Sequence, residues 1–142
     1  MRVILLILIG LSLLSAELTR DETTGIVNDN ATGLEWQDNN ISSLTTWENA
    51  IESCENLTLG GKSDWRLPNI NELKSIVDRS KVDPAIRDGF EKTSSNFYWS
   101  STTSKENKNE AWIVNFGYGY VSLTFKPAVL ATLYVRCVRG GE

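Results

Sequence analysis

The sequence predicts an α+β domain. Three observations carry that prediction: a turn-rich strand pair near the start, two capped amphipathic segments in the middle, and a series of aromatic and β-branched runs after Asn96. In the first of these, Ile26-Val27 and Leu34-Glu35-Trp36 flank Asp29-Asn30-Ala31-Thr32-Gly33. That cluster favours a turn, so a hairpin is expected. Thr45, three residues before Glu48, has the spacing of a capping box and announces the first helix. Trp47, Ala50, Ile51, Cys54 and Leu57 then recur at helical spacing, which makes one face apolar and places Cys54 on it. Gly60-Gly61 is expected to stop this helix. Asn69 and Glu72 repeat the capping arrangement for a second helix, with Ile70, Leu73, Ile76 and Val77 on its inward side. Asp83-Pro84, followed by Ala85-Ile86, suits a short helical turn with proline at its first position and Gly89 at its end. Beyond it, Tyr98 to Ser101, Ala111 to Phe116, Tyr120 to Phe125 and Leu133 to Val138 read as strands separated by turn formers. Strands, then helices, then strands is the order of an α+β domain.

The segment ahead of the hairpin has a different character. Arg2 precedes an apolar run from Val3 to Leu14 that closes on Ser15-Ala16 and meets Glu17, Arg20, Asp21 and Glu22. A bilayer-spanning helix needs about 20 predominantly apolar residues, so residues 1-16 read as a signal peptide, against the rival reading of an uncleaved anchor. Residues 17-142 then form one domain of roughly 126 residues, enough for a single buried core. No repeat or linker divides it. Loss of Arg2 moves the formal charge from −4 to −5. A mildly acidic domain without a basic run has little to offer nucleic acid or an anionic lipid surface.

Cys54 and Cys137 are the two cysteines of the chain. Export would place them where disulfides persist, and pairing is the expectation. Such a bond would close a loop of some 80 residues, a constraint the chain-entropy treatment values at roughly 4–5 kcal/mol. The alternatives are two buried thiols or a metal site. The latter would have half of a tetrahedral zinc shell and no histidine to complete it.

Gly60-Gly61-Lys62-Ser63 invites a phosphate-binding reading, which fails on two counts. The loop needs a glycine five positions ahead of its Gly-Lys-Ser, and that position is Asn56. It should also lead from a strand into a helix that begins at the lysine, whereas Asp64-Trp65-Arg66-Leu67-Pro68 follows. Those residues read as a structural hinge. Trp65 and Leu67 would fill the core and Pro68 would set the chain's approach to the second helix. Arg66 would offer a planar fork of donors to carbonyls or to a carboxylate, with Glu72 or Asp78 as candidates.

"TGLEWQ" from Thr32, the helix carrying Cys54, "DWRLPNINEL" from Asp64, "YWSST" from Tyr98 with Trp99, "AWIVNF" from Ala111 and "YVRCVRG" from Tyr134 occur in order. Together they resemble the family named after the C-terminal domain of the Legionella collagen-like protein, across about Gly25 to Gly140. The resemblance implies a C-type-lectin-like fold, in which two helices pack on short, mainly antiparallel sheets and a first-helix cysteine is bonded to one in the last strand. It also suggests an adhesin-like role toward carbohydrate or a surface protein. The formylglycine-generating enzymes share that fold but use a reactive cysteine pair, which a Cys54–Cys137 bond would preclude.

With no histidine in the chain and no spacing that singles out a carboxylate pair, a binding module is favoured over an enzyme. In C-type-lectin-like domains the ligand region lies among loops near the late strands, here Ser101 to Trp112. Glu106, Asn107, Asn109 and Glu110 could supply some of the six to eight oxygens calcium takes, although the Glu-Pro-Asn and Trp-Asn-Asp signatures of calcium-dependent sugar binders are missing. A plain solvated loop is the competing reading. Tyr118, between Gly117 and Gly119, stands at a turn where it could present a ring to a sugar or a protein, while Tyr120 is expected in the following strand. Arg136 and Arg139 fall on opposite faces of a strand. That argues against anionic glycans and leaves a neutral glycan or an envelope partner in an assembly role. Asn30, Asn40 and Asn56 each begin an Asn-x-Ser/Thr sequon.

Overall fold

The computed structural model describes residues 17–40, 42–43, 45–127 and 133–141, so the expected leader at 1–16 lies outside the described residues. In chain order the elements are β1 (Leu18–Asp21), β2 (Ile26–Asp29), β3 (Leu34–Gln37), β4 (Ser42–Ser43), α1 (Trp47–Glu55), α2 (Ile70–Ser75), β5 (Phe97–Thr103), β6 (Glu110–Asn115), β7 (Tyr120–Phe125), β8 (Leu133–Val135) and β9 (Val138–Arg139). One sheet has the order β1-β2-β3-β9 and the other β4-β8-β5-β6-β7, antiparallel except where β5 meets β8. The chain is therefore α+β, as its pattern predicts. No helix among the described residues is long and apolar enough to cross a membrane.

Strand alternation divides the interior into two cores. Trp99, Ala111, Ile113, Leu133 and Val135 point from one face of the larger sheet toward Ala50 and Cys54 of α1 and toward Trp65 and Leu67. Tyr98, Val114, Phe116 and Tyr134 point from the other face toward Leu73 of α2, Ile76, Trp36 and Val138. Successive side chains of a strand leave on opposite faces, so one run such as Tyr98-Trp99 serves both cores.

Several local expectations shift for identifiable reasons. The cap of α1 is Thr46, whose Oγ1 accepts from the Asn49 N–H, while the Thr45 carbonyl accepts from Trp99 Nε1 at 2.9 Å. The helix ends at Asn56, before the glycines. Gly60 and Gly61, at φ of +61° and +74°, instead form the turn of a small bridge between Leu59 and Lys62. The capping box of Asn69 and Glu72 forms as expected, but Ile76 caps α2 and Val77 bridges to Ile86. No helical turn follows Pro84, because the Asp83 and Ala85 N–H groups donate to the Gly117 and Phe116 carbonyls and hold the segment against the β6–β7 turn. The strand β1 adds to the expected elements: its burial alternates, but Leu18 is the one apolar residue of Leu18-Thr19-Arg20-Asp21. The run expected from Leu133 to Val138 is two strands in different sheets, interrupted at Arg136-Cys137.

That interruption is where the chain is most constrained. Cys54 and Cys137 are disulfide-bonded, with their Cα atoms 5.4 Å apart. Beside them the Arg136 side chain is fully buried and donates to Asp38 Oδ1 at 2.7 Å, to the Gln37 carbonyl at 2.7 Å, and to Lys92 O and Thr93 Oγ1 at 2.9 Å. Asp38, also fully buried, accepts from Arg20 and from the Glu91 and Lys92 N–H groups.

The Trp65-to-Pro68 hinge behaves as a scaffold. Trp65, Leu67 and Pro68 are buried. Arg66 takes Glu72 with two hydrogen bonds of 2.7 Å and reaches the Gly140 carbonyl at 2.9 Å, while Asp78 caps the Ser80 N–H instead. Burial works against the charged Glu72 carboxylate, but the Arg66 hydrogen bonds, the Asn69 N–H and the Arg66 charge outweigh it and hold its pKa below the ordinary 4.5.

Two outcomes follow. Asp38→Ala leaves Arg136 buried without its carboxylate and should destabilise the domain by about 3–5 kcal/mol in chemical denaturation at neutral pH. Because the folded pKa of Glu72 is depressed, its contribution is complete above pH 4.5 and is lost as pH falls through the lower, folded value. Glu72→Gln should therefore lower stability at pH 7 by about 1 kcal/mol and flatten the wild-type decline below pH 4.5, as read from denaturation midpoints across a pH series.

Candidate functional site

The β6–β7 hairpin projects the most exposed large apolar side chain among the described residues, Tyr118, at 67% exposure. Its turn is held from beneath. Asn115 ends β6 as a buried residue, and its Oδ1 accepts from the Gly117 N–H at 2.8 Å and the Tyr118 N–H at 3.0 Å. The Gly119 N–H closes on the Asn115 carbonyl at 2.7 Å, and Arg79 Nε donates to the Gly119 carbonyl at 3.2 Å. Gly119 has φ of +81°, and a Cβ there would come within 2.9 Å of Val77 Cγ1, so the position requires glycine. The backbone is therefore fixed while the ring stands in solvent.

Neighbouring groups widen this surface. Tyr120, 44% exposed, begins β7 as expected and sits edge-on to Phe97, with centroids 5.9 Å apart. Val82 is exposed and follows the turn closely, because the next residue, Asp83, is bonded to the Gly117 carbonyl. Below the turn a cleft of about 250 Å³ is lined by Lys74, Val77, Arg79, Gly119 and Val121. Among the described residues, neither Lys74 nor Arg79 has a carboxylate partner.

The oxygen-rich loop lies at the other end of the same hairpin. Ser104 Oγ accepts from the Glu106 and Asn107 N–H groups, Asn107 Oδ1 accepts from the Asn109 N–H, and the Asn107 carbonyl accepts from Glu110, the first residue of β6. The loop's oxygens thus shape its own turn. Among the described residues no group of three or more Cys, Asp or Glu side chains is placed to hold a metal ion. Asn109 does reach a second cleft, of about 280 Å³, with Thr46, Glu48, Lys126 and Pro127. There Lys126 Nζ lies 3.9 Å from the centre of the Trp47 ring and 2.9 Å from Thr103 Oγ1. Tyr118 and Glu106, Asn107, Asn109 and Glu110 are separated by the length of β6, roughly 20 Å at about 3.3 Å per residue, so they form two places rather than one.

The remaining predicted residues are structural. Trp99 is buried with its indole N–H on Thr45, and Arg66, Glu72, Cys54 and Cys137 are joined as described above. Sequence reasoning missed Asn115, although an asparagine two residues before a glycine is an Asx-turn signal. It also missed Lys74, Arg79 and Val82, which only tertiary contacts bring to the turn.

Asn115→Ala should free the turn without emptying either core. Amide exchange at Gly117 and Tyr118 is expected to accelerate at least tenfold, with the rest of β6 unchanged, in hydrogen-exchange measurements.

No curated protein matches the chain. Residues 25–139 match the Lcl C-terminal domain, a span that includes both cysteines, the Trp65-to-Pro68 hinge and the whole β6–β7 hairpin. The chain belongs to the Lcl C-terminal domain family.

Proposed function

We propose that the chain is an exported, non-catalytic binding module of adhesin-like character that takes a neutral carbohydrate or another surface ligand on the Tyr118 turn. One observation carries the reading: an aromatic ring two-thirds in solvent stands on a turn whose backbone is held by Asn115, Arg79 and Asp83. A ring presented this way loses little conformational freedom when a ligand covers it. Its flat apolar face suits the C–H face of a pyranose, and its hydroxyl suits a sugar hydroxyl.

The disulfide supports an oxidising compartment and hence export to a periplasm or cell surface, in line with the apolar run from Val3 to Leu14. It also leaves no thiol for the chemistry of formylglycine-generating enzymes, which favours binding over catalysis. The cleft at Asn109, with Glu48 and Thr46 beside it, offers polar groups for a further saccharide contact or a calcium-assisted one. A second reading, an envelope scaffold or assembly module, is favoured by the exposure of Val82, one residue before the Asp83 whose N–H bonds the Gly117 carbonyl, because a second exposed apolar side chain near the turn suits protein as well as sugar.

The two readings separate on a glycan array probed with the exported domain, in buffer with calcium and with chelator. Reproducible sugar signals that fall tenfold or more with Tyr118→Ala carry the first. Silence on every glycan, together with an envelope protein that co-purifies in a Tyr118-dependent way, assigns the turn to assembly.

A further inference from the structure

Four strand edges bound the two sheets, and three of them are closed to further pairing. The β1 edge is short and carries Arg20 and Asp21, β4 has two residues, and the β9 edge is met by Arg66 bridging to Val138. These are the usual ways of blunting an edge. The fourth, β7, is six residues long and reads Tyr-Val-Ser-Leu-Thr-Phe, with no charge, proline or glycine. Among the described residues nothing pairs with its outer side.

The direction of its backbone groups follows from the ladder. The Lys126 N–H donates to the Asn109 carbonyl, one step beyond the Glu110–Phe125 pair, so Lys126 faces β6. Alternation then turns Thr124, Ser122 and Tyr120 toward β6 and leaves the N–H and C=O groups of Val121, Leu123 and Phe125 pointing outward. The side chains of the same three residues share one face of the sheet, and those of Ser122 and Thr124 share the other.

We propose that β7 is a self-pairing edge, joined antiparallel to β7 of a second copy of this chain about a two-fold axis through Leu123. In that register Leu123 meets the partner's Leu123, Val121 meets the partner's Phe125, and Ser122 meets the partner's Thr124. Apolar side chains are opposed on one face and hydroxyls on the other. About six inter-chain hydrogen bonds form from the outward groups. The cleft bordered by Val77 and Val121 lies on the face to which the partner's Phe125 projects, with Lys74 and Arg79 at its rim to meet the ring. Phe125 is 56% exposed in the single chain, so this contact would cover it. A second copy is the favoured occupant because strand, cleft and projecting ring all belong to the same surface, which is what an isologous contact requires. The antiparallel arrangement sets the two Tyr118 turns at opposite ends of the paired strands. This assembly stands independently of what those turns bind.

Sedimentation equilibrium of the full exported chain, over concentrations from micromolar to millimolar, tests the proposal together with amide exchange at the two extremes. The expected result is a mass that doubles with concentration and exchange at Val121, Leu123 and Phe125 that slows at least tenfold in the dimer, with Tyr120, Ser122 and Thr124 changing little. Phe125→Ser, at an exposed position, and Leu123→Lys, which sets two cations together on the axis, should each return the mass to that of one chain while the disulfide and the circular dichroism spectrum are kept. A single-chain mass at every concentration overturns the proposal. So does a dimer that both variants leave intact, or protection of the β7 edge appearing only when a different protein is bound.

Discussion

The ion pair of Asp38 and Arg136, sealed where the two sheets meet, is the constraint on which the rest of the fold depends. Both side chains are fully buried, and the pair gathers four separate stretches: β1 through Arg20, the end of β3 through Gln37, the loop at Glu91 to Thr93, and the switch from β8 to β9. Taking two charges out of water costs several kcal/mol for each ion, and only dense hydrogen bonding offsets that. Here the guanidinium has four acceptors, and the carboxylate takes a second arginine and two backbone N–H groups. Phe90 and Tyr98 flank the cation at 4.8 and 5.9 Å, and burial pushes the Tyr98 phenol above its ordinary pKa of 10.0 even though Arg136 acts in the opposite direction. A geometry this specific admits one way of crossing from sheet to sheet, so the pair contributes topology as much as stability.

The disulfide reinforces the crossing from the helical side. Cys54 leaves the apolar face of α1 and meets Cys137, the residue after Arg136, so the helical layer and the sheet crossing are joined at one place. On the opposite side Arg66 and Glu72 tie the hinge and the α2 cap to the chain end at Gly140. Each of the two cores therefore has its own polar or covalent clamp. The sheet between them has no freedom to slide, because a one-residue slip of β5 would exchange the side chains serving the two cores.

Rigidity at the centre explains what the periphery can do. The β6–β7 hairpin is anchored along β5, and Asn115 and Arg79 complete its turn, so the backbone that carries the tyrosine at its tip is held in place. The same hairpin ends the sheet, so among the described residues β7 pairs on one side only. The proposed ligand turn and the proposed pairing edge are compatible on one element because they would use different groups: a side chain at the tip and backbone amides along the flank.

Much of this architecture is legible in one dimension. Period-two and period-3.6 patterns locate the hairpin at Ile26 to Trp36, both helices and the late strands, and the Asn69–Glu72 cap is readable from a three-residue spacing. Compartment logic and residue count suffice for the Cys54–Cys137 pair, and the flanking glycines mark Tyr118 as a turn apex. Local pattern depends on neighbours in the chain, and each of these features is local or exhausts its residue type. The fate of Arg136 is different. The expected alternation with Arg139 along one strand does not hold, because Arg136 lies in the break between β8 and β9, and nothing nearby in sequence says that Asp38, almost a hundred residues earlier, waits in a dry site to receive it. The same holds for the break between β8 and β9, for Val82, Lys74 and Arg79 gathering at the turn, and for β7 lying last in its sheet. Those depend on which surfaces meet once both cores close, and burial and long-range pairing are decided only when the chain is packed in three dimensions.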